Sequence, residues 1–296
     1  MSGSTENDPV RTIGREKYGE RARGGDRFAS RARVRALAAT GCLIALGLPF
    51  AIGAQEAGPA PQRNVDLMAE APPLELAPPT RADSVAADAA RAASSRDARL
   101  RIVVSIADRG LVVLNGSDTL LIASAAVGMD RRLSFDGRSW TFRSPRGART
   151  VKRKTARVAW IPPVWHYAEV ARKYNLRLAR LPADSDIVLD DGRVLAVRDG
   201  EAGLLLPDGV FAALPPDEEI VFDSTLYVPP LGTLNRAVEG EIGAYQLDLG
   251  DGYLIHGTPR KESIGTATTH GCVRVDDAQI EWLYAHIPIG TPVYIY

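Results

Sequence analysis

The sequence predicts a mainly β protein, an antiparallel β-sandwich or partly closed barrel with two or more short helices. From Leu100 onward, apolar and β-branched residues recur with a period of two, which is typical of strands that bury one face. Glycine-containing turn signals such as Asn115-Gly116 separate these runs at short intervals and indicate antiparallel neighbours. Apolar residues at helical spacing occur only in short stretches, so few helices are expected.

The elements follow from these signals in chain order. Residues 100–106, 111–114 and 119–127 predict a three-stranded meander. Further strands are predicted at 139–142, 149–152, 244–249, 253–256 and 292–296, with two or three hairpins across 185–228. The spacing predicts helices at 166–176 and 278–285, the second capped by Asp276-Asp277.

Three segments precede this domain. Residues 1–35 are basic and residues 36–54 are almost wholly apolar, which predicts either a signal peptide or a membrane anchor. Both alternatives remain open, and both place the rest of the chain outside the cytoplasm. Residues 55–98, rich in alanine and proline, are predicted to be a disordered linker in which a short helix near 84–93 can form.

Charge and cysteine content narrow the function. The chain has 36 basic and 36 acidic residues, a formal net charge of +0, so no nucleic-acid partner is expected. One cysteine, Cys42, lies in the apolar segment, which leaves Cys272 alone in the folded part. A single cysteine in an exported domain is either reactive or paired with another chain.

One pair of motifs carries the chemistry. A thiol becomes a nucleophile where positive charge and backbone N–H groups stabilise its anion, and a neighbouring glycine lets the backbone approach a substrate. The sequence therefore predicts a reactive thiolate at Cys272. The two motifs are Ile255-His256-Gly257-Thr258 and Thr269-His270-Gly271-Cys272-Val273-Arg274.

The segment 99–296 resembles the L,D-transpeptidase catalytic domain, also called the YkuD-type domain. The sequence departs from the family pattern at two positions. Thr269 stands where the family usually has serine, and Ser144 stands where it usually has threonine. Residues 165–228 look like an insertion that could shape the substrate groove or act as a lid. The resemblance is carried, in order, by Val127-Gly128, Ser144-Pro145-Arg146-Gly147, 229–235, 253–258, Ile264-Gly265, 269–274 and Gly290-Thr291-Pro292-Val293.

The resemblance implies the fold of that family and the cross-linking of peptidoglycan through a cysteine acyl-enzyme. Cys272 would attack a tetrapeptide stem, release D-alanine and transfer the acyl group to an amine, without a cofactor or metal. The implied partners are peptidoglycan stem peptides and a wall-attached protein as acceptor, with N-terminal membrane contact if an anchor is retained. The implied location is the cell envelope, either periplasmic or anchored in the inner membrane.

The family's roles transfer to particular residues. His256 would be the general base, oriented by the carbonyl of Gly257, and the amides of Gly271 and Cys272 would bind the oxyanion. His270 would shape that hole or lend positive character to the thiolate. The expected substrate contacts are Arg274, which on extended backbone shares the face of Cys272, together with Thr258, Tyr245 and Thr269.

Three other functions remain open. The first is an L,D-carboxypeptidase or amidase that hydrolyses the same bonds. The second is a zinc-binding module in which His256, His270 and Cys272 are the ligands. The third is a wall-binding protein whose catalytic site has decayed.

Overall fold

The computed structural model of the protein describes residues 72–157 and 159–296. The predicted basic segment 1–35 and apolar segment 36–54 lie outside the described residues. Within the described part, no helix is long and apolar enough to cross a membrane. This part contains α1 (Arg81–Arg96), α2 (Val164–Lys173), α3 (Asp277–His286) and the short 3-10 helices η1 (Leu234–Arg236) and η2 (Lys261–Ser263).

The strands make this a mainly β structure, as the sequence predicted. The described residues form β1 (Glu75–Leu76), β2 (Arg101–Ser105), β3 (Gly110–Asn115), β4 (Asp118–Ser124), β5 (Val127–Gly128), β6 (Arg131–Phe135), β7 (Arg138–Phe142), β8 (Gly147–Thr150), β9 (Arg153–Ala156), β10 (Arg177–Arg180), β11 (Ile187–Val188), β12 (Val194–Arg198), β13 (Glu201–Leu205), β14 (Phe211–Ala213), β15 (Ile220–Phe222), β16 (Thr225–Val228), β17 (Tyr245–Asp248), β18 (Leu254–His256), β19 (Ala267–Thr269), β20 (Val273–Arg274) and β21 (Pro292–Ile295).

Two sheets share the largest hydrophobic core. One has five strands in the order β4-β3-β2-β21-β8, and the other has four in the order β20-β18-β17-β9. Ile102 and Leu111 of the first sheet pack in one cluster with Leu247 and Ile255 of the second. Leu283 of α3 belongs to the same cluster, so the core lies where both sheets and this helix meet.

The predicted fold class needs one correction. Among the described residues, three sheets combine parallel and antiparallel pairs, and one two-stranded sheet is wholly parallel. The parallel pairs are β2–β21, β5–β19, β10–β16 and β18–β20. None of the sheets in the described residues closes into a barrel. Hairpin signals in the sequence detect antiparallel neighbours, whereas parallel pairs join segments far apart in the chain and leave no local signal.

The first predicted meander is present, and its turn explains its register. Gly116 has φ 60°, a left-handed conformation that suits glycine in a tight hairpin. Asn115 pairs with Asp118 across that turn. In β3, alternate side chains are buried, with Leu111 and Val113 in the main core. The period of two therefore marked the buried face correctly.

Residues 164–228 form a second layer with apolar clusters of their own. They contain α2, the sheet β10-β16-β15 and the antiparallel sheet β11-β12-β13-β14, which matches the predicted hairpins. Leu195 and Ala202 lie in one of these clusters, while Tyr167 and Leu226 lie in another. Asn235 ties η1 to this layer, because its Oδ1 accepts the Ala202 N–H at 2.8 Å.

Residues 55–71 of the predicted disordered linker lie outside the described residues, whereas its remainder contains β1 and α1. Thr80 and Asp83 form a reciprocal capping box at the start of α1. The helix packs on β8 and β21, with Ala90 buried. Tyr294 donates a hydrogen bond from its hydroxyl to Asp97 Oδ2 at 2.7 Å. Composition suggested disorder because large apolar residues are scarce, but small alanines let the helix lie close to the sheet.

We predict that Thr80→Ala lowers the free energy of unfolding by about 1 kcal/mol, because it removes the side-chain acceptor at the N-cap of α1. Chemical denaturation followed by circular dichroism measures this. Ser95→Ala removes an exposed hydroxyl bonded to Arg91 O in the same helix and should stay within about 0.5 kcal/mol of wild type. Equal stability of Thr80→Ala and wild type would contradict the role of the cap.

Candidate active site

The site is assembled by a parallel strand pair. In the β18–β20 pair, Ile255 is opposite Val273 and His256 is opposite Arg274. Directly opposed residues point to the same face of a sheet, and residues two apart along a strand do so too. Ile255 and Val273 face the main core, so His256, Arg274 and Cys272 share the other face.

His256 is held in one orientation. Its Nδ1–H donates to the carbonyl of Gly257 at 2.6 Å, the contact that the resemblance implied. Nε2 is therefore the nitrogen left to accept a proton. His256 is 3% exposed. Burial, reinforced by the positive charge of Arg274, lowers its pKa to about 4, so the imidazole is neutral at physiological pH.

Cys272 is a partly exposed free thiol. Burial raises its pKa, although a hydrogen bond from the Leu254 main chain and the charge of Arg274 act in the opposite direction. Its sulfur lies 3.9 Å from the carbonyl oxygen of Gly252. Burial and the nearby positive charge therefore act on the pKa of the thiol in opposite directions, and the raised pKa disfavours the thiolate that the sequence predicted.

The loop that carries Cys272 is fixed by hydroxyl groups. Thr269 is 1% exposed, donates to Cys272 O at 2.6 Å and accepts the Gly271 N–H at 3.2 Å. Ser144 Oγ donates to Gly271 O at 3.0 Å and accepts the Gly128 N–H at 2.9 Å. Thr269 therefore braces the loop and is not an open substrate contact. The Gly271 amide must leave Thr269 before it can bind an oxyanion.

Gly271 cannot be replaced without moving this loop. Its φ is 132°, and an added Cβ would lie 2.8 Å from Arg143 O and 2.9 Å from the ring of Tyr253. The glycine that the sequence singled out is therefore required by close backbone approach as well as by conformation.

His270 is directed towards α2. Its Nε2–H donates to Glu169 Oε2 at 2.8 Å. Its ring stacks on Trp165 at a centroid distance of 4.1 Å and meets the edge of Phe142 at 4.4 Å. Burial acts to raise the pKa of Glu169, but the hydrogen bond with His270 and its charge outweigh burial, so this pKa lies below its ordinary value. Glu169 was missed because nothing in the local sequence links it to a residue 101 positions away.

Tyr245 and Thr258 were also predicted to contact the substrate, but each makes contacts within the protein instead. Tyr245 lies one residue before Gln246, the cross-strand partner of His256, so it points to the opposite face. There it packs on Tyr284 of α3 at a centroid distance of 4.6 Å. Thr258 is 1% exposed and accepts the Arg260 N–H at 3.1 Å. Alternation along β17 predicts that Tyr245 and Gln246 face opposite sides of the sheet. The sequence does not show which of the two shares a face with His256, because it does not give the register of β17 against β18.

The face that carries His256 holds further polar groups that the sequence did not single out. Gln246 and Thr155 continue the row from Arg274 and His256 across the four-stranded sheet. Gln246 Oε1, Thr155 Oγ1 and Arg274 Nε are buried without a hydrogen-bond partner among the described residues. Such groups are rare in folded proteins and are concentrated at functional sites. Arg274 remains the one predicted substrate contact on this face.

A family model matches most of the chain. The model of YkuD, the L,D-transpeptidase catalytic domain, matches residues 99–295. The chain belongs to this family. The matched segment includes both strands of the parallel pair and all of the predicted site residues.

Relatives and solved structures share parts of this domain. The chain is 30% identical over 135 residues to the probable L,D-transpeptidase ErfK/SrfK of Salmonella typhimurium. The aligned region covers 41% of each protein. It is 40% identical over 55 residues to the probable L,D-transpeptidase YbiS of Escherichia coli, covering 19% of this chain and 18% of that one. The chain thus spans less than half of these relatives. An L,D-transpeptidase structure from Xylanimonas cellulosilytica covers 68% of this chain and 62% of its own, at 16% identity and a TM-score of 0.34, a likeness too low to carry an argument.

We predict that Ser144→Ala lowers the free energy of unfolding by about 1–3 kcal/mol, because it leaves the Gly128 N–H and the Gly271 carbonyl buried without their partner. Urea denaturation measures the loss. The matched control is Ser139→Ala at an exposed position of β7, which should change stability by less than about 0.5 kcal/mol. If the two variants are equally stable, the bridging hydroxyl does not hold the loop.

His256 also makes a pH-dependent contribution to stability. Below pH 6.5 an unfolded chain protonates this histidine, whereas the folded state resists protonation down to its pKa of about 4. The free energy of unfolding should therefore fall as the pH drops from 6.5 towards 4, by up to about 3 kcal/mol from this residue. His256→Gln should lose that component, whereas the exposed-site control His286→Gln should keep it. Parallel stability curves for His256→Gln and wild type would refute the assignment.

Proposed function

We propose that this protein is an L,D-transpeptidase whose Cys272 forms an acyl-enzyme with a peptidoglycan tetrapeptide stem. The observation that supports this best is the β18–β20 register, which sets Cys272 and His256 on one face. The Gly257 carbonyl, 2.6 Å from Nδ1, leaves Nε2 of His256 as the base.

The first half-reaction releases D-alanine. The sulfur of Cys272 attacks the carbonyl that joins the L-centre of the third stem residue to D-alanine. The thiol proton moves to His256 as the C–S bond forms. His256 then gives this proton to the departing amine. The amides of Cys272 and Gly271 stabilise the oxyanion, a role worth about 10²–10³ in rate for each donor.

The second half-reaction decides between transfer and hydrolysis. An amine acceptor, from another stem or from a wall-attached protein, attacks the thioester and yields a new amide. Water in the same position yields a carboxylic acid, which is the carboxypeptidase alternative. The relative yields of amide and acid, measured with and without an acceptor amine, distinguish the two activities.

The zinc alternative has little support from the geometry. The described part of the chain contains no group of three or more His, Cys, Asp or Glu residues that could hold a metal ion. His270 is hydrogen-bonded to Glu169 and does not join His256 and Cys272. The proposed reaction requires no cofactor, since the thiol, the imidazole and the backbone amides supply its chemistry.

We place this reaction in the cell envelope. The basic segment 1–35 followed by the apolar segment 36–54 is typical of an exported or anchored chain. Stem peptides are the proposed substrates, and they lie outside the cytoplasm.

We predict that the full-length protein, incubated with a tetrapeptide stem, gains the mass of the stem minus D-alanine at Cys272. Intact-mass spectrometry followed by peptide mapping measures this. Cys272→Ala should gain nothing while keeping the melting temperature of the wild type. Acylation of the Cys272→Ala variant, or none of the wild type with any stem peptide, would remove this proposal.

We also predict that iodoacetamide alkylation of Cys272 accelerates with pH and has its midpoint above the ordinary cysteine value, because burial raises the pKa of the thiol. The rate is followed by mass spectrometry, with Cys272→Ala reporting the background from Cys42. A fast reaction that stays constant down to pH 5 would instead indicate a thiolate–imidazolium pair at rest.

A further inference from the structure

A cavity of about 170 Å³ lies between the β6–β7 hairpin and the layer formed by residues 164–228. The β6–β7 hairpin lines one side, and β10, with the end of β16, lines the other. Val164, the first residue of α2, also contributes to the wall. None of the residues assigned to the proposed reaction lines this cavity.

The lining of the cavity includes two arginines, Arg138 and Arg180. Both are exposed, and neither side chain has a hydrogen bond or ion pair with any residue that the structure describes. Asp136 also lines the cavity, so the lining has a net charge of +1. A guanidinium group suits the planar, bidentate recognition of a carboxylate. The rings of Trp140 and Phe135 form an apolar wall beside them.

The backbone of β10 offers a second recognition element. This strand pairs only with β16 among the described residues. The N–H groups of Arg177 and Leu181 are used on that side, bonding to Ser224 O and Val228 O. In a strand the N–H and C=O of alternate residues point to opposite edges, so those of Leu178 and Arg180 face the open edge. An extended peptide can pair with such an edge through its own main chain.

Aromatic side chains lie between the cavity and the loop that carries Cys272. Trp140 in the cavity wall and Phe142 lie two residues apart on β7 and therefore share a face. The ring of Phe142 is 4.4 Å from that of His270 and 5.3 Å from that of Trp165. A peptide bound here would approach the loop from the side of His270, whereas His256 and Arg274 lie on the face of the four-stranded sheet.

We propose that this cavity is the acceptor subsite, and that it binds an extended peptide bearing a carboxylate. Arg138 and Arg180 hold the carboxylate, and the open edge of β10 pairs with the peptide backbone. The inference rests on the proposed transpeptidase function. While the first peptide remains attached to Cys272, a second must reach the thioester from another side. Its amine then forms the C–N bond, the C–S bond breaks, and the amine proton passes to the departing sulfur.

The variant Arg138→Gln/Arg180→Gln tests the assignment in the full-length chain. Both side chains are exposed, so the melting temperature should not change. Acylation of Cys272 by a tetrapeptide stem should proceed at the wild-type rate. The ratio of transfer to hydrolysis, measured with a second tetrapeptide as acceptor, should fall roughly 5- to 100-fold, since a charge-assisted carboxylate contact is lost. Arg132→Gln, on the neighbouring strand β6 but outside the cavity lining, removes a comparable charge and should leave the ratio unchanged.

A binding measurement separates this inference from the proposed reaction. Calorimetry on Cys272→Ala titrates the same tetrapeptide and its amidated form, which lacks the terminal carboxylate. We expect the amidated peptide to bind more weakly than the free acid. We also expect the free acid to bind more weakly when both arginines are replaced. An unchanged transfer ratio, a slower acylation step instead of slower transfer, or peptide binding insensitive to Arg138 and Arg180 would overturn the subsite. If the wild type forms no acyl-enzyme, the proposed function fails, and the calorimetry still decides whether the cavity binds a carboxylate peptide.

Discussion

The parallel pairing of β18 with β20 is the constraint on which the rest of the structure depends. It joins two segments separated by a loop and sets His256 opposite Arg274. On one face the pair contributes Ile255 and Val273 to the main core, and on the other it gathers the reactive groups. A register shift of one residue would exchange the two faces. The site and the core are therefore stabilised by the same interaction.

Burial at this pair also sets the chemistry. It lowers the pKa of His256 to about 4 and raises that of Cys272, so both shifts favour the uncharged forms of the two side chains. Buried polar atoms of Gln246 and Arg274 have no partner within the described chain, and such groups cost about 1–3 kcal/mol each.

Elements outside the main core reach the catalytic loop as well. Glu169 and Trp165 of α2 hold His270. Arg143 forms an ion pair with Asp83 of α1, and its carbonyl lies where a side chain at Gly271 would have to sit. The folded end of the predicted linker and the layer of residues 164–228 thus both contact the segment that carries the nucleophile. The carboxylate subsite lies where that layer meets the β6–β7 hairpin.

The sequence by itself determined the mainly β class, most strand positions, the family and the pair Cys272 and His256. Local periodicity, turn glycines and an unusual cluster of residue types carry that information in short stretches of chain. Only the tertiary structure decided that Tyr245 faces the core, that Glu169 holds His270, that α1 docks on the sheet and that burial raises the pKa of the Cys272 thiol. Each of these depends on register, burial or contact between distant segments, and none of those quantities is encoded within a local window.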